Sequence, residues 1–132
     1  MATLKTNTLT GTTTAGSIAV TGEGNSTTTN LQQGLCKVWC HWDNNTAIQD
    51  SFNVSGITDD QTGVSIVAYS NNMANDDYAG GGLSRLNSGG GTTLIRIANV
   101  FSTSQIKIAC VDNSDSLSDG LTQSFVLNGD LA

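Results

Sequence analysis

Apolar and polar residues alternate from Leu35 to Asp43. Cys36, Val38, Cys40 and Trp42 fall on one face, and Leu35, Lys37, Trp39 and His41 on the other. Asn44-Asn45 is a turn signal, and Ala47–Val54 follows with Ile48, Phe52 and Val54 on one face. The two runs predict a β-hairpin whose loop is longer than two residues. Asp59–Gly63 reads as the next turn. Val64–Tyr69 reads as a third strand, with Val64, Ile66 and Ala68 opposite Ser65, Val67 and Tyr69. Asn71–Asp77 is polar and turn-like, and Tyr78 starts a short strand. Gly80, Gly81, Gly82, Gly89, Gly90 and Gly91 bracket a loop around Leu83–Ser88. Thr92–Phe101 and Ser104–Val111 read as a second hairpin, with Ile106, Ile108 and Cys110 sharing a face. Asp112–Gly120 is an acidic, Ser-rich loop, and Gln123–Leu127 is the last strand. About six to eight short strands with turns between them, and no convincing helix, predict an all-β fold. The expected form is an antiparallel β-sandwich with jelly-roll-like connectivity.

Residues 1–33 form a different zone. Thr dominates, Gly11, Gly16, Gly22 and Gly24 punctuate it, and two strand-like pieces stand out at Leu4–Thr10 and Ser17–Thr21. Its apolar residues, Leu4, Leu9, Ile18, Val20 and Leu31, are too few to enclose a core. We expect an extended assembly or attachment arm over 1–33, ordered by packing on copies of itself or on another protein, and a head domain over 34–132. Leu4, Leu9, Ile18 and Val20 are the expected interface residues.

Composition narrows the partners. The net charge is -6 with only five Lys and Arg, so no basic patch for phosphates is expected, and no nucleic acid or anionic membrane partner. No apolar run reaches the length that inserts into a bilayer. No basic stretch followed by an apolar run opens the chain, so no secretory signal is read. The three cysteines are expected as reduced, mostly buried thiols.

The residues that carry chemistry argue for no catalytic centre. Cys36 and Cys40 lie about 13 Å apart along a strand, against zinc–sulfur bonds of about 2.3 Å, and His41 points away from Cys40. Neither a shared metal nor a Cys36–Cys40 disulfide fits an intact strand. Asp112, Asp115 and Asp119 lack the central Gly and distal Glu of a calcium loop. The single His has no nucleophile-elbow sequence around any Ser, and the one Glu leaves little for paired-carboxylate chemistry. No enzyme, metal or cofactor is expected. Trp39, Trp42 and Tyr78 could stack on a sugar, but aromatics on alternating strand positions are first of all core, with one tryptophan available for a subunit interface.

Lys37, Trp39, Trp42, the run Ser51-Phe52-Asn53-Val54-Ser55, the turn Asp59–Gly63, the strand Val64–Tyr69, Met73 and Tyr78 together resemble a family of bacteriophage tail-fibre-like virion structural proteins, of the marine phage type. The match is specific between residues 34 and 80. Trp42 and Cys40 depart from it, where the family has Phe and a polar residue. The resemblance implies a trimeric, β-rich piece of a virion made in the host cytoplasm, partnered by itself and by other capsid or tail proteins. It implies a surface fibre or knob touching a host surface glycan. The loops expected to make that contact are Asn71–Asp77, Gly80–Gly91 and Asp112–Gly120, with Asn71, Asn72, Arg85, Asn87 and Asp115 as contact candidates. The alternatives are a capsid decoration or cement protein without a receptor, and a carbohydrate-binding module.

Overall fold

A computed structural model describes residues 3–14, 17–43, 46–85 and 94–132, without the side chains of residues 99–101. Two compact units divide the chain, Met1–Leu35 and Cys36–Ala132. The first contains a small antiparallel pair, β1 (Ala19–Thr21) and β2 (Thr28–Asn30), followed by a single helical turn, α1 (Leu31–Gly34). Asn30 caps that turn, its Oδ1 accepting from the backbone N–H of Gln32 and Gln33. Neither β2 nor the turn was expected. The expected strand at Leu4–Thr10 does not form, because no strand among the described residues pairs with it.

The second unit is all-β. Its strands are β3 (Val38–Asp43), β4 (Ile48–Phe52), β5 (Val54–Gln61), β6 (Val64–Tyr69), β7 (Ala79–Arg85), β8 (Leu94–Phe101), β9 (Gln105–Val111) and β10 (Thr122–Asn128). They make two four-stranded antiparallel sheets, ordered β4-β3-β10-β7 and β5-β6-β9-β8. The hairpins β3–β4, β5–β6 and β8–β9 each stay within one sheet. Val38, Cys40, Trp42, Phe125 and Leu127 of the first sheet and Val67, Tyr69, Ile106 and Ile108 of the second form one core with Met73 and Tyr78. Trp42 is fully buried and meets Phe125 edge-on at 5.8 Å between centroids. Each such side chain contributes about 1.5–3 kcal/mol by leaving water.

The alternation read in β3 is the one observed, with Val38, Cys40 and Trp42 buried and Trp39 and His41 half-buried. Ala47–Val54 is not one strand. The chain breaks at Asn53, which adopts φ 59, and passes there from the first sheet to the second. Both amide atoms of Asn53 are used. Nδ2 donates to the carbonyls of Lys37 (3.2 Å) and Asn71 (3.0 Å), and Oδ1 accepts from the backbone N–H of Asn71 at 2.7 Å. The expected turn at Asp59–Gly63 is shorter. Strand β5 runs through both aspartates to Gln61, leaving Thr62-Gly63 as the reversal, with Gly63 at φ 71. A Cβ there would lie 2.6 Å from the Ser118 nitrogen, so only glycine fits.

Gly80–Gly82 is the clearest departure. It is not a loop but the centre of β7, paired in register with Leu127, Val126 and Phe125 of β10. A Cβ at Gly80 would come 2.3 Å from the Val126 carbonyl oxygen, and one at Gly82 2.6 Å from that of Ser124. Close strand approach, rather than turn formation, accounts for these glycines. The remainder of the predicted loop, residues 86–91, lies outside the described residues, as does the Asn44-Asn45 turn.

Asn53→Ala is expected to lower unfolding free energy by about 2–3 kcal/mol, since it removes the bracket and leaves an L-residue with a positive φ. Asn53→Gly keeps the φ and should recover about 1 kcal/mol of that. Urea unfolding of the two variants separates the contributions; equal losses would show that the backbone conformation is immaterial.

Candidate functional site

The outward side of the first sheet carries two rows of side chains that cross its strands. In one, Phe52, Trp39, Val126 and Gly81 are successive register partners. Phe52 and Val126 are exposed and Trp39 half-buried, so the row is an apolar band that ends on a residue with no side chain. In the next, Asp50, His41, Ser124 and Leu83 are register partners. Cross-strand neighbours have Cβ atoms about 5 Å apart. The residue types of a nucleophilic triad therefore stand in line. They are not coupled: the Asp50 carboxylate accepts from the Ser51 backbone N–H at 2.8 Å, and no hydrogen bond joins Asp50, His41 and Ser124 among the described residues. A hollow of about 280 Å³ lies at the end of the rows, lined by Gly81, Gly82, Leu83, Ser124, Phe125 and Val126.

The loop residues selected from sequence do not converge. Asn71 and Asn72 lie at the Asn53 end of the sheets. There Met73 N–H donates to the Thr103 carbonyl, Ala74 N–H to that of Asp130, and Ala132 N–H to that of Asn72. Arg85 lies at the other end, opposite Thr122, while Ala79 is opposite Asn128. The strand between those pairs is about 20 Å long. Asp115 belongs to the Arg85 end. It adopts φ 61 and its Oδ1 meets Arg96 Nη1 at 2.7 Å in an exposed ion pair. Asn71 is also tied to the Asn53 bracket, through its backbone and its Nδ2. Asn87 is outside the described residues.

The Asp112–Gly120 segment does more than turn. Leu117 bridges to Val111, and Asp119 Oδ1 accepts from the Gly63 N–H at 2.6 Å. Leu117 lines a hollow over Val64 and Ala109 on the outward side of the second sheet, which explains why those two strand residues are buried there. Lys107 Nζ meets Asp60 Oδ2 at 2.6 Å on the same side.

Inside the core, Trp42 and Tyr78 are buried, so neither presents a ring to a ligand. Tyr78 Oη takes a hydrogen bond from Tyr69 Oη at 3.3 Å and donates to the Ser102 carbonyl. Burial, then that bond, hold the Tyr69 phenol well above its usual range. All three cysteines are free thiols, Cys40 and Cys110 buried and Cys36 half-buried. Burial, aided by the negative charge of Asp50, pushes Cys40 up to about 11. No group of three His, Cys, Asp or Glu side chains suited to a metal occurs among the described residues. Trp42 Nε1 and Gln123 Oε1, on register partners, are buried side-chain atoms without a hydrogen-bond partner among the described residues.

In the first unit, Leu4, Leu9 and Val20 are exposed by 77%, 54% and 49%, and Ile18 is half-buried. Leu9 and Ile18 come together with Leu31 and Leu35 around a hollow of about 300 Å³; Leu4 and Val20 stand apart from it.

Two measurements check the core chemistry. Gln123→Leu should raise stability by about 1 kcal/mol, because it removes a buried acceptor that no described residue satisfies; a loss on thermal or urea unfolding would show that the amide is engaged. The Cys40 thiol ionises first in the unfolded chain, so its contribution is complete below about pH 9 and is lost as pH rises through about 11. Cys40→Ala should therefore flatten the alkaline fall in stability between those values; an unchanged slope would assign it elsewhere.

Comparison of the chain with protein-family models, with curated proteins and with solved structures gives no match.

Proposed function

We propose that this chain is a structural protein of a bacteriophage particle. Residues 34–132 form a β-sandwich head of eight strands in two four-stranded sheets, whose in-sheet hairpins β3–β4, β5–β6 and β8–β9 depart from jelly-roll connectivity. Residues 1–33 form an arm that assembles three copies. The observation that carries this reading is the apolar exposure of the first unit. Leu4, Leu9 and Val20 stand open to solvent on a segment with no buried residue of its own among those described. Side chains of this kind are stabilised by covering them with another chain. The residues that carry the resemblance to phage tail-fibre-like proteins also hold structural roles that such a head needs. Asn53 makes the passage between sheets, and Trp42, Met73 and Tyr78 fill the core.

The surface role divides into two readings. Contact with a host glycan would use the end bearing Arg85 and Asp115. A decoration protein, bound to the capsid without a receptor, is favoured by a specific observation: the contact candidates are spread over opposite ends, and Asn71 is engaged in the Asn53 bracket. A detached carbohydrate-binding module would function as a monomer.

Light scattering is expected to give a mass that is a multiple of three chains of 13.6 kDa, and a value near 13.6 kDa would reject the assembly. Added to purified empty capsids and to host cells, the chain should sediment with the capsids and raise their melting temperature. Sedimentation with cells, together with block of infection, would instead establish the receptor-binding reading. Binding to neither would remove both.

A further inference from the structure

We propose that strand β7 is an interface at which two copies of this chain pair edge to edge, antiparallel, about a two-fold axis through Gly82. Strand β7 ends its sheet, with β10 as its neighbour on one side and no strand beyond it among the described residues. Lys37 N–H donates to the Leu127 carbonyl, so the polar groups of Leu127 face β3. By the alternation of an antiparallel ladder, those of Ser124 and Val126 face β7. Their partners Leu83 and Gly81 therefore bond to β10, and the N–H and C=O of Gly80 and Gly82 point to the open edge. Gly80, Gly81, Gly82 and Leu83 are all exposed.

Strand edges of this kind invite a second strand unless proline, an inward charge or a bulge prevents it. β7 has none of these: its sequence is AGGGLSR, charged only at its end, and its pairing with β10 runs without a register shift. A two-fold at Gly82 places Gly82 opposite its own copy as a hydrogen-bonded pair. Leu83 then lies opposite Gly81 of the other copy as a non-hydrogen-bonded pair, where Cα atoms approach to about 4.5 Å.

That register matches the surface. Leu83, 76% exposed, is the knob. The hollow of about 280 Å³ over Gly81, walled by Val126, is the hole, and nothing lies within 4 Å of a Cβ built at Gly81. Each copy supplies the side chain that fills the other's hollow. Charge agrees as well. Arg85 has no ion-pair partner among the described residues, and neither do Asp76 and Asp77, just before β7. In the paired register Arg85 falls opposite Ala79 of the other copy, beside that copy's Asp77, so each end of the interface gains an opposite-charge pair. This contact is independent of the arm-mediated trimer. It uses residues of the second unit only.

Light scattering on the full chain, compared with Leu83→Asp, tests it. The mass is expected to fall in the variant, which changes an exposed residue and leaves the fold intact by circular dichroism. Arg85→Glu should weaken the association, and Arg85→Glu with Asp77→Arg should restore it. In a Cys36→Ser background, mixing separately purified Gly81→Cys and Leu83→Cys chains under mild oxidation should give a disulfide-linked pair in high yield, with little from either alone. The same mass for wild type and Leu83→Asp, or no preference for the mixed cross-link, overturns the proposal. A mass of three chains in both would do so while keeping the trimer, and a pair that falls to single chains would keep the edge contact while rejecting the trimer.

Discussion

Asn53 is the constraint on which the two-sheet arrangement depends. The chain has to leave the first sheet after Phe52 and enter the second at Val54, a reversal with a single residue between strands. A left-handed backbone at that residue makes the change of direction, and the amide pins it on both sides. Asparagine is one of the few L-residues that accept such a φ, and its side chain reaches backbone groups of neighbouring segments. Lys37, at the head of β3, and Asn71, just past the end of β6, are thereby drawn to one point. The hairpin that buries Trp42 and the one that buries Val67 and Tyr69 are then in place to face each other. The Ser-Phe-Asn-Val-Ser run is thus a corner.

A second constraint acts at the opposite edge. The inward positions of β7 are glycine at residues 80 and 82, because the backbone of β10 approaches too closely for a Cβ. The same choice leaves the space between Gly80, Gly82, Ile95, Ile97 and Phe125 incompletely filled, a cavity of about 250 Å³. Glycine also removes the side chain at Gly81 on the outward side. One run of three residues therefore sets the strand spacing, thins the core beside β8 and opens the hollow next to Leu83. Its residue types are those of a turn, and its environment is that of a sheet edge.

These two sites show how far the sequence was legible. The strand β3 and the strand β6 could be read to within a few residues, because their apolar side chains repeat every second position and one face of each is buried. Asn53 could not be read as a break, since Ile48, Phe52 and Val54 continue a single alternation across it. Yet Ile48 and Phe52 are exposed, and only Val54 packs on the core. Gly80–Gly82 has the local chemistry of a turn, while its pairing with Leu127, Val126 and Phe125 spans more than forty residues of chain. The loop candidates were legible as exposed polar residues, but their separation onto two ends follows from strand directions that local pattern does not carry.

Composition and period by themselves determined the all-β class, the burial of the Trp42 face, the weak apolar content of residues 1–33 and the net charge of -6. These follow from residue type and near-neighbour spacing, which are properties of the chain. The tertiary structure alone decided that β10 inserts between β3 and β7, that Phe52, Trp39, Val126 and Gly81 form one row, and that Leu83 stands beside an empty position. Those are matters of register between distant strands. Register is set by the simultaneous burial of both inner faces, a condition met only when the whole core closes.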